Sequence, residues 1–191
     1  GETGDRVGEV TRLESGILDS IDNKMVNVAN RDTEGLDYDV SWSLTLGQYG
    51  DLTTRLFWTR VINFSESHPD DPTRTIHRDG DLYHPKDRGQ LTLNWALGDF
   101  SATAVGNYVS EQEDHPRWCD PDWGNRCRLG TFKTVDLQAS WATPWNGQVT
   151  IGARNIFDED PPTTTDLGRR YESGQHSVFG RVPYIRWEQD L

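Results

Sequence analysis

The sequence predicts an all-β chain, an antiparallel up-and-down meander of about seven strands. Three observations predict it. Apolar and polar residues alternate with period two over long stretches, and tight turns alternate with long polar connections. Four tryptophans, Trp42, Trp95, Trp141 and Trp187, each stand a few residues before a tight turn or the end of the chain, always in the apolar phase. Alternation of this kind makes a strand with one apolar and one wet face. Tryptophan recurring at one depth on the apolar face is what a membrane–water interface selects. The meander therefore reads as part of an outer-membrane β-barrel.

The first strand, 34–46, is the cleanest: Leu36, Tyr38, Val40, Trp42, Leu44 and Leu46 alternate with Asp37, Asp39, Ser41, Ser43 and Thr45. After a tight turn, Leu52, Thr54, Leu56, Trp58, Ile62 and Phe64 share a phase opposite Thr53, Arg55, Thr59 and Asn63. Arg60 interrupts that phase. It lies roughly 25 Å up a tilted strand from Gly50, near the top of an apolar band, where an arginine reaches outward to headgroups. Leu91, Leu93, Trp95 and Leu97 make the third strand, and Phe100, Ala102, Ala104, Gly106 and Tyr108 the fourth. Val135, Leu137, Ala139 and Trp141 then oppose Thr134, Asp136, Gln138 and Ser140; Val149, Ile151 and Ala153 oppose Thr150 and Arg154. The last strand is expected from about Val178, with Ile185, Trp187 and Leu191 in one phase.

The tight turns are 47–51, 98–99 and 146–147, and Asn146-Gly147 is a two-residue hairpin signal. The connections 66–87, 112–131 and 158–177 are long and polar. Short turns on one side and long loops on the other is the arrangement of outer-membrane barrels, with the short side in the periplasm. The competing architecture is a secreted soluble all-β binding module, for example carbohydrate-binding, with a half-exposed sheet.

Composition limits the function classes. A net charge of −12 argues against a nucleic-acid partner, which requires clustered Lys and Arg. A mean hydropathy of −0.77 and the lack of any long apolar run exclude transmembrane helices but not strands, half of whose residues are polar. Eight tryptophans against one methionine suit aromatic-girdled β-structure. The chain begins Gly1-Glu2-Thr3 with neither an initiator Met nor a signal peptide, so it is expected to start within something larger.

Two stretches carry a family resemblance. Gly152-Ala153-Arg154-Asn155-Ile156-Phe157-Asp158-Glu159-Asp160-Pro161-Pro162 resembles the penultimate-strand signature of TonB-dependent outer-membrane receptors, and Gly180-Arg181 stands where their last strand begins. Upstream, the run from Ile21 to Asp37, with Thr33, Gly35, Leu36 and Asp37, is similar to a descending strand of the same family. The resemblance implies a segment of a 22-stranded transmembrane β-barrel in the outer membrane of a Gram-negative bacterium. Residues 1–23 would then be an extracellular hairpin segment and residues 24–191 the C-terminal strands, with the plug domain and earlier strands missing. It implies, as partners, outer-membrane lipid, the missing plug and strands, TonB through the missing N-terminal region, and the barrel-assembly machinery through the last strand. In the family the final residue is usually aromatic; here it is Leu191. The implied activity is energised uptake of a scarce nutrient such as an iron chelate, vitamin or oligosaccharide.

Candidate chemistry sits in the long loops. Cys119 and Cys127 bracket seven residues and are expected to form a disulfide in an oxidising exterior. Free thiols, or a metal pair completed by His115, are the alternatives, though zinc spacing is missing. Trp118 and Trp123 beside them offer a ligand-gripping surface, with His115 nearby, or simply pack the loop over the barrel mouth. His68, His77, His84 and His115 are read as solvated loop residues, with contact to an iron chelate as the alternative. No nucleophile elbow, phosphate loop or His–Cys cluster occurs, so the chain is expected not to be an enzyme and to need no cofactor. The lumen-phase groups Asp37, Asp39 and Asp136 with Arg55 and Arg154 suit inter-strand or plug-directed ion pairs.

Overall fold

The computed structural model describes residues 9–22, 30–68, 71–114, 127–163, 171 and 174–189. In chain order the strands are β1 (Glu9–Arg12), β2 (Leu18–Asp22), β3 (Arg31–Thr45), β4 (Asp51–His68), β5 (Asp71–His77) and β6 (Asp87–Leu97). They continue as β7 (Phe100–Val109), β8 (Gln112–Glu113), β9 (Arg128–Leu129), β10 (Phe132–Thr143), β11 (Gly147–Arg154) and β12 (Val182–Gln189). One antiparallel sheet runs β12-β11-β10-β7-β6-β4-β3, so the seven expected strands pair strictly with their sequence neighbours. β5 joins the same sheet through β4 alone. β1 and β2 form a separate hairpin, and β8 pairs with β9.

The registers put the alternating residues on two faces. Along one row Trp42 stands level with Thr54, Thr54 with Leu93, Leu93 with Ala104 and Ala104 with Leu137. From Leu137 the row continues through Ala153 to Pro183. This apolar face is uncovered: Leu36, Val40, Leu44, Ile151 and Ile185 are all exposed. Leu129 is the one buried large apolar residue among the described residues. A soluble sandwich buries such a face against a second layer. This sheet leaves it uncovered among the described residues.

The short-turn end is built as expected, with one change. A single 3-10 turn, Gly47–Tyr49, joins β3 to β4, and Gly50 closes it at φ 87°. Gly98, at φ 58°, begins the two-residue turn between β6 and β7. The third connection is a three-residue loop rather than the expected two-residue Asn146-Gly147 hairpin, because Thr143 pairs with Gly147. Asn146 takes the left-handed position at φ 58°, which asparagine tolerates. The Thr143 hydroxyl closes the loop, donating to Gly147 O and accepting from Gly147 N.

The loop end departs further from the sequence reading. β4 runs on to His68 and turns back as β5, so the expected 66–87 loop begins as a projecting ribbon. Its alternation carries no apolar face, since water lies on both sides, and it therefore lacked the usual strand signature. Glu34 pairs with Asn63 but Gly35 pairs with Val61, leaving Ile62 as an extra residue in β4. One extra residue reverses the phase of everything above it. Phe64 thus lies opposite Thr33 on the polar face, not in the apolar phase with Leu56 and Trp58. The last strand begins at Val182 rather than about Val178.

Candidate functional site

Three places carry the polar chemistry: the polar face of the sheet, the loop end, and the joint between β11 and β12. The polar face is a lattice of short side chains that satisfy one another across strands. The Ser43 and Thr53 hydroxyls meet at 3.1 Å, and those of Ser140 and Thr150 at 2.8 Å. Gln90 donates to Asn107 and Thr103 to Asn94, each at 2.9 Å. Arg55 forks onto Asp39 through Nε at 2.9 Å and Nη2 at 2.6 Å, and Asp37 accepts the Thr59 hydroxyl at 2.6 Å. A bidentate fork fixes the arginine's plane as well as its charge. Beside it a groove is lined by Ser41, Thr53, Phe57, Gln90, Thr92 and Asn94. The ion pair expected in the lumen phase is therefore Arg55–Asp39, whereas Asp136 accepts the Asn155 backbone N–H at 2.8 Å.

At the loop end, segments distant in sequence pack together. Leu82 and Gly80 exchange backbone bonds with Glu113, and Asp114 N–H donates to Cys127 O at 2.9 Å. Gln112 is 2% exposed and donates through Nε2 to Gln175 Oε1 at 2.9 Å. His176 meets the Phe132 ring edge-on at 4.9 Å between centroids. On the ribbon, Glu66 accepts from Arg78 at 2.9 Å and from Arg31 at 3.1 Å. The Arg31 guanidinium also lies 5.3 Å from the Phe64 ring centroid, and Phe64 stacks on His84 at 4.3 Å. Because the Glu66 carboxylate accepts from Arg78, and then from Arg31, its pKa is held below the ordinary value despite partial burial. Burial pushes the His84 imidazole the other way from a solvated histidine, below its ordinary pKa. The sequence reading took His84 for a solvated residue; it is half-buried.

The β11–β12 joint explains most of the resemblance motif. Tyr184 crosses Gly152 to donate its hydroxyl to Gln138 at 2.9 Å, and a Cβ on residue 152 would lie 2.6 Å from the phenol. Asn155 is buried at φ 47°; its side chain donates to Glu159 O and accepts from Glu159 N, folding the chain back on itself. Asp158, at φ 61°, accepts the Arg181 N–H at 2.6 Å. Phe157 points away and is 75% exposed. Pro161 and Pro162 follow the joint and are half-buried. Gly152, Asn155 and Asp158 are thus fixed by the geometry of the joint.

The four expected tryptophans all lie on the apolar face near the short-turn end. Trp95 donates Nε1 to Tyr49 O at 2.7 Å. Trp145, which the sequence reading passed over because it sits in a turn, completes the row. It meets Trp141 edge-on at 5.8 Å and stacks on Trp187 at 6.3 Å. Cys127 is disulfide-bonded. His115, Trp118, Cys119, Trp123 and Leu191 lie outside the described residues. Among the described residues no three His, Cys, Asp or Glu side chains converge as metal ligands.

A family model described as "TonB dependent receptor-like, beta-barrel" matches residues 4–156. Among solved structures, the chain is similar to a mutant of the ferric enterobactin receptor from Pseudomonas aeruginosa. Identity is 18%, coverage is 81% of this chain and 22% of that one, and the TM-score is 0.53. It is also similar to the ferric-catecholate import receptor Fiu from E. coli in its closed form, at 15% identity, 82% and 27% coverage and a TM-score of 0.44. No curated protein matches. The chain spans about a fifth to a quarter of the length of these structures.

Proposed function

The chain belongs to the TonB-dependent receptor-like β-barrel family, and from that premise we propose that it forms the C-terminal strands of an outer-membrane receptor for energised nutrient uptake. The observation that carries the reading is the two-faced sheet. Its apolar face is exposed and edged by a row of tryptophans at the short-turn end, while its polar face is internally hydrogen-bonded. An apolar face of this extent is expected to lie in lipid, and the polar face to line a lumen. The row of Trp42, Trp95, Trp141, Trp145 and Trp187 then marks the periplasmic interface, and the ribbon and loops stand outside the cell.

In this reading the loop end meets the solute, with Trp118, Trp123 and His115 as contacts and a Cys119–Cys127 disulfide holding their loop. The Arg55–Asp39 fork and its neighbours face the plug of the same receptor, and TonB acts through the N-terminal region. The last strand addresses the assembly machinery. The reading assigns no catalysis and no cofactor.

The test uses cells carrying the full-length receptor gene and follows accumulation of labelled ferric enterobactin, the solute named for the Pseudomonas aeruginosa receptor. Accumulation that stops when the proton gradient is dissipated supports the reading. Accumulation of neither this nor any other labelled iron chelate, vitamin or oligosaccharide above receptor-free cells overturns it.

A further inference from the structure

One row on the apolar face is not apolar. At the loop end, Trp58, Gly89, Tyr108 and Lys133 stand level with one another across β4, β6, β7 and β10. Trp58 lies flat across Gly89, where any Cβ would overlap its ring, and stacks on Tyr108 at 5.2 Å between centroids. Lys133 Nζ lies over the other side of Tyr108, 5.8 Å from the ring centre. Arg60, two pairs further from the short turns, lies 3.7 Å from Asp87, which also accepts Trp58 Nε1–H at 3.0 Å. Two cations therefore flank an aromatic shelf spanning three strand spacings, roughly 14 Å.

The charges on this shelf do not cancel. Arg60 and the indole N–H neutralise Asp87, while Lys133 has no carboxylate partner among the described residues. The shelf is thus net positive on a chain whose net charge is −12. Further toward the short turns, beyond Leu91, Gly106 and Val135, an open hollow of about 790 Å³ crosses the same face from β4 to β12, lined by Leu52, Leu93, Ala104, Leu137, Ala153 and Pro183 among others. From Tyr108 to Ala102 along β7 is roughly 20 Å. That is enough to take an acyl chain through one leaflet, about half of a ~30 Å hydrocarbon core.

We infer that this shelf seats the phosphate-bearing headgroup of a lipid whose acyl chain lies down the apolar face below it, past Leu91 and Gly106 toward the hollow. Lys133 and Arg60 supply charge-assisted donors to the phosphate. The stacked Trp58 and Tyr108 rings lie at headgroup depth and keep the cations level with it. Asp87 restrains Arg60 without cancelling the site. The inference rests on the apolar face meeting lipid, as proposed above.

The experiment places the full-length receptor in zwitterionic detergent micelles and counts retained lipid by native mass spectrometry. Dioleoyl phosphatidic acid is compared with dioleoyl phosphatidylcholine, which has the same acyl chains. The phosphatidic acid should be retained the more tightly, with the preference falling about fivefold for each cation removed in Lys133→Gln and Arg60→Gln. Arg186→Gln, the same loss of charge on the polar face, should leave it unchanged. Equal retention of the two lipids, or a preference untouched by Lys133→Gln, overturns the inference while leaving the membrane reading standing. A receptor that stays monodisperse without entering micelles overturns both.

Discussion

The Asp158 carboxylate occupies the place where a side chain at Gly180 would begin, and from there it accepts the backbone N–H of Arg181. The glycine and the aspartate are one device, a catch that sets where β12 enters the sheet. Gly180→Ala should push the carboxylate aside and forfeit its bond, at a cost of about 1–2 kcal/mol. In an Asp158→Gly background the same change should cost little. Urea unfolding of the micelle-embedded chain, read as a double-mutant cycle, measures that coupling. Additive losses would show that the two residues act independently.

The two faces of the sheet make opposite predictions for the same substitution. Leu93 lies midway up β6 on the apolar face, and Thr92 beside it lies on the polar face. Leu93→Arg in lipid vesicles should cost about 2–4 kcal/mol, the range for a cation near the bilayer midplane. Thr92→Arg should cost far less. Similar losses for both would contradict the assignment of the apolar face to lipid.

The ribbon should respond to acid through Glu66. Its pKa is depressed in the folded chain, chiefly by the hydrogen bond from Arg78. A depressed carboxyl stabilises the fold above its unfolded pKa, near the ordinary value of 4.5, and that contribution is lost as the pH falls through the folded pKa. Carbon-detected NMR of the Glu66 carboxyl should therefore show a midpoint below 4.5 that rises in Arg78→Gln. An unmoved midpoint would mean that Arg78 does not hold the carboxylate in solution.

Cys127 is bonded, and Cys119 is the other cysteine in the sequence. Maleimide should label no thiol in the unreduced chain and two after reduction. Labelling of two thiols before reduction would remove the proposed restraint on the loop that carries Trp118 and Trp123.

Much of this fold was legible because period-two alternation reports the face directly, and one tryptophan row marks the short-turn end of the apolar face. What escaped was where the periodicity carried no contrast. Ile62 and Phe64 are both apolar, so the extra residue between the phases left no trace in the pattern, although Phe64 crosses to the polar face. β5 has water on both sides and so no apolar stripe. Trp145 belongs to the girdle through its stacking partners, yet sits in a turn where alternation says nothing. The joint residues were visible only as a motif; that Gly152 makes way for Tyr184 required coordinates. The Lys133–Tyr108–Trp58 row draws on three strands with polar loops between them, and no local spacing in the sequence joins them.

The extra residue at Ile62 separates two design problems. Below it, each position answers to a fixed alternation between two solvents, and a single insertion would turn the wall inside out. Above it, the phase has already been reset, so length and sequence can change without any penalty being transmitted downward.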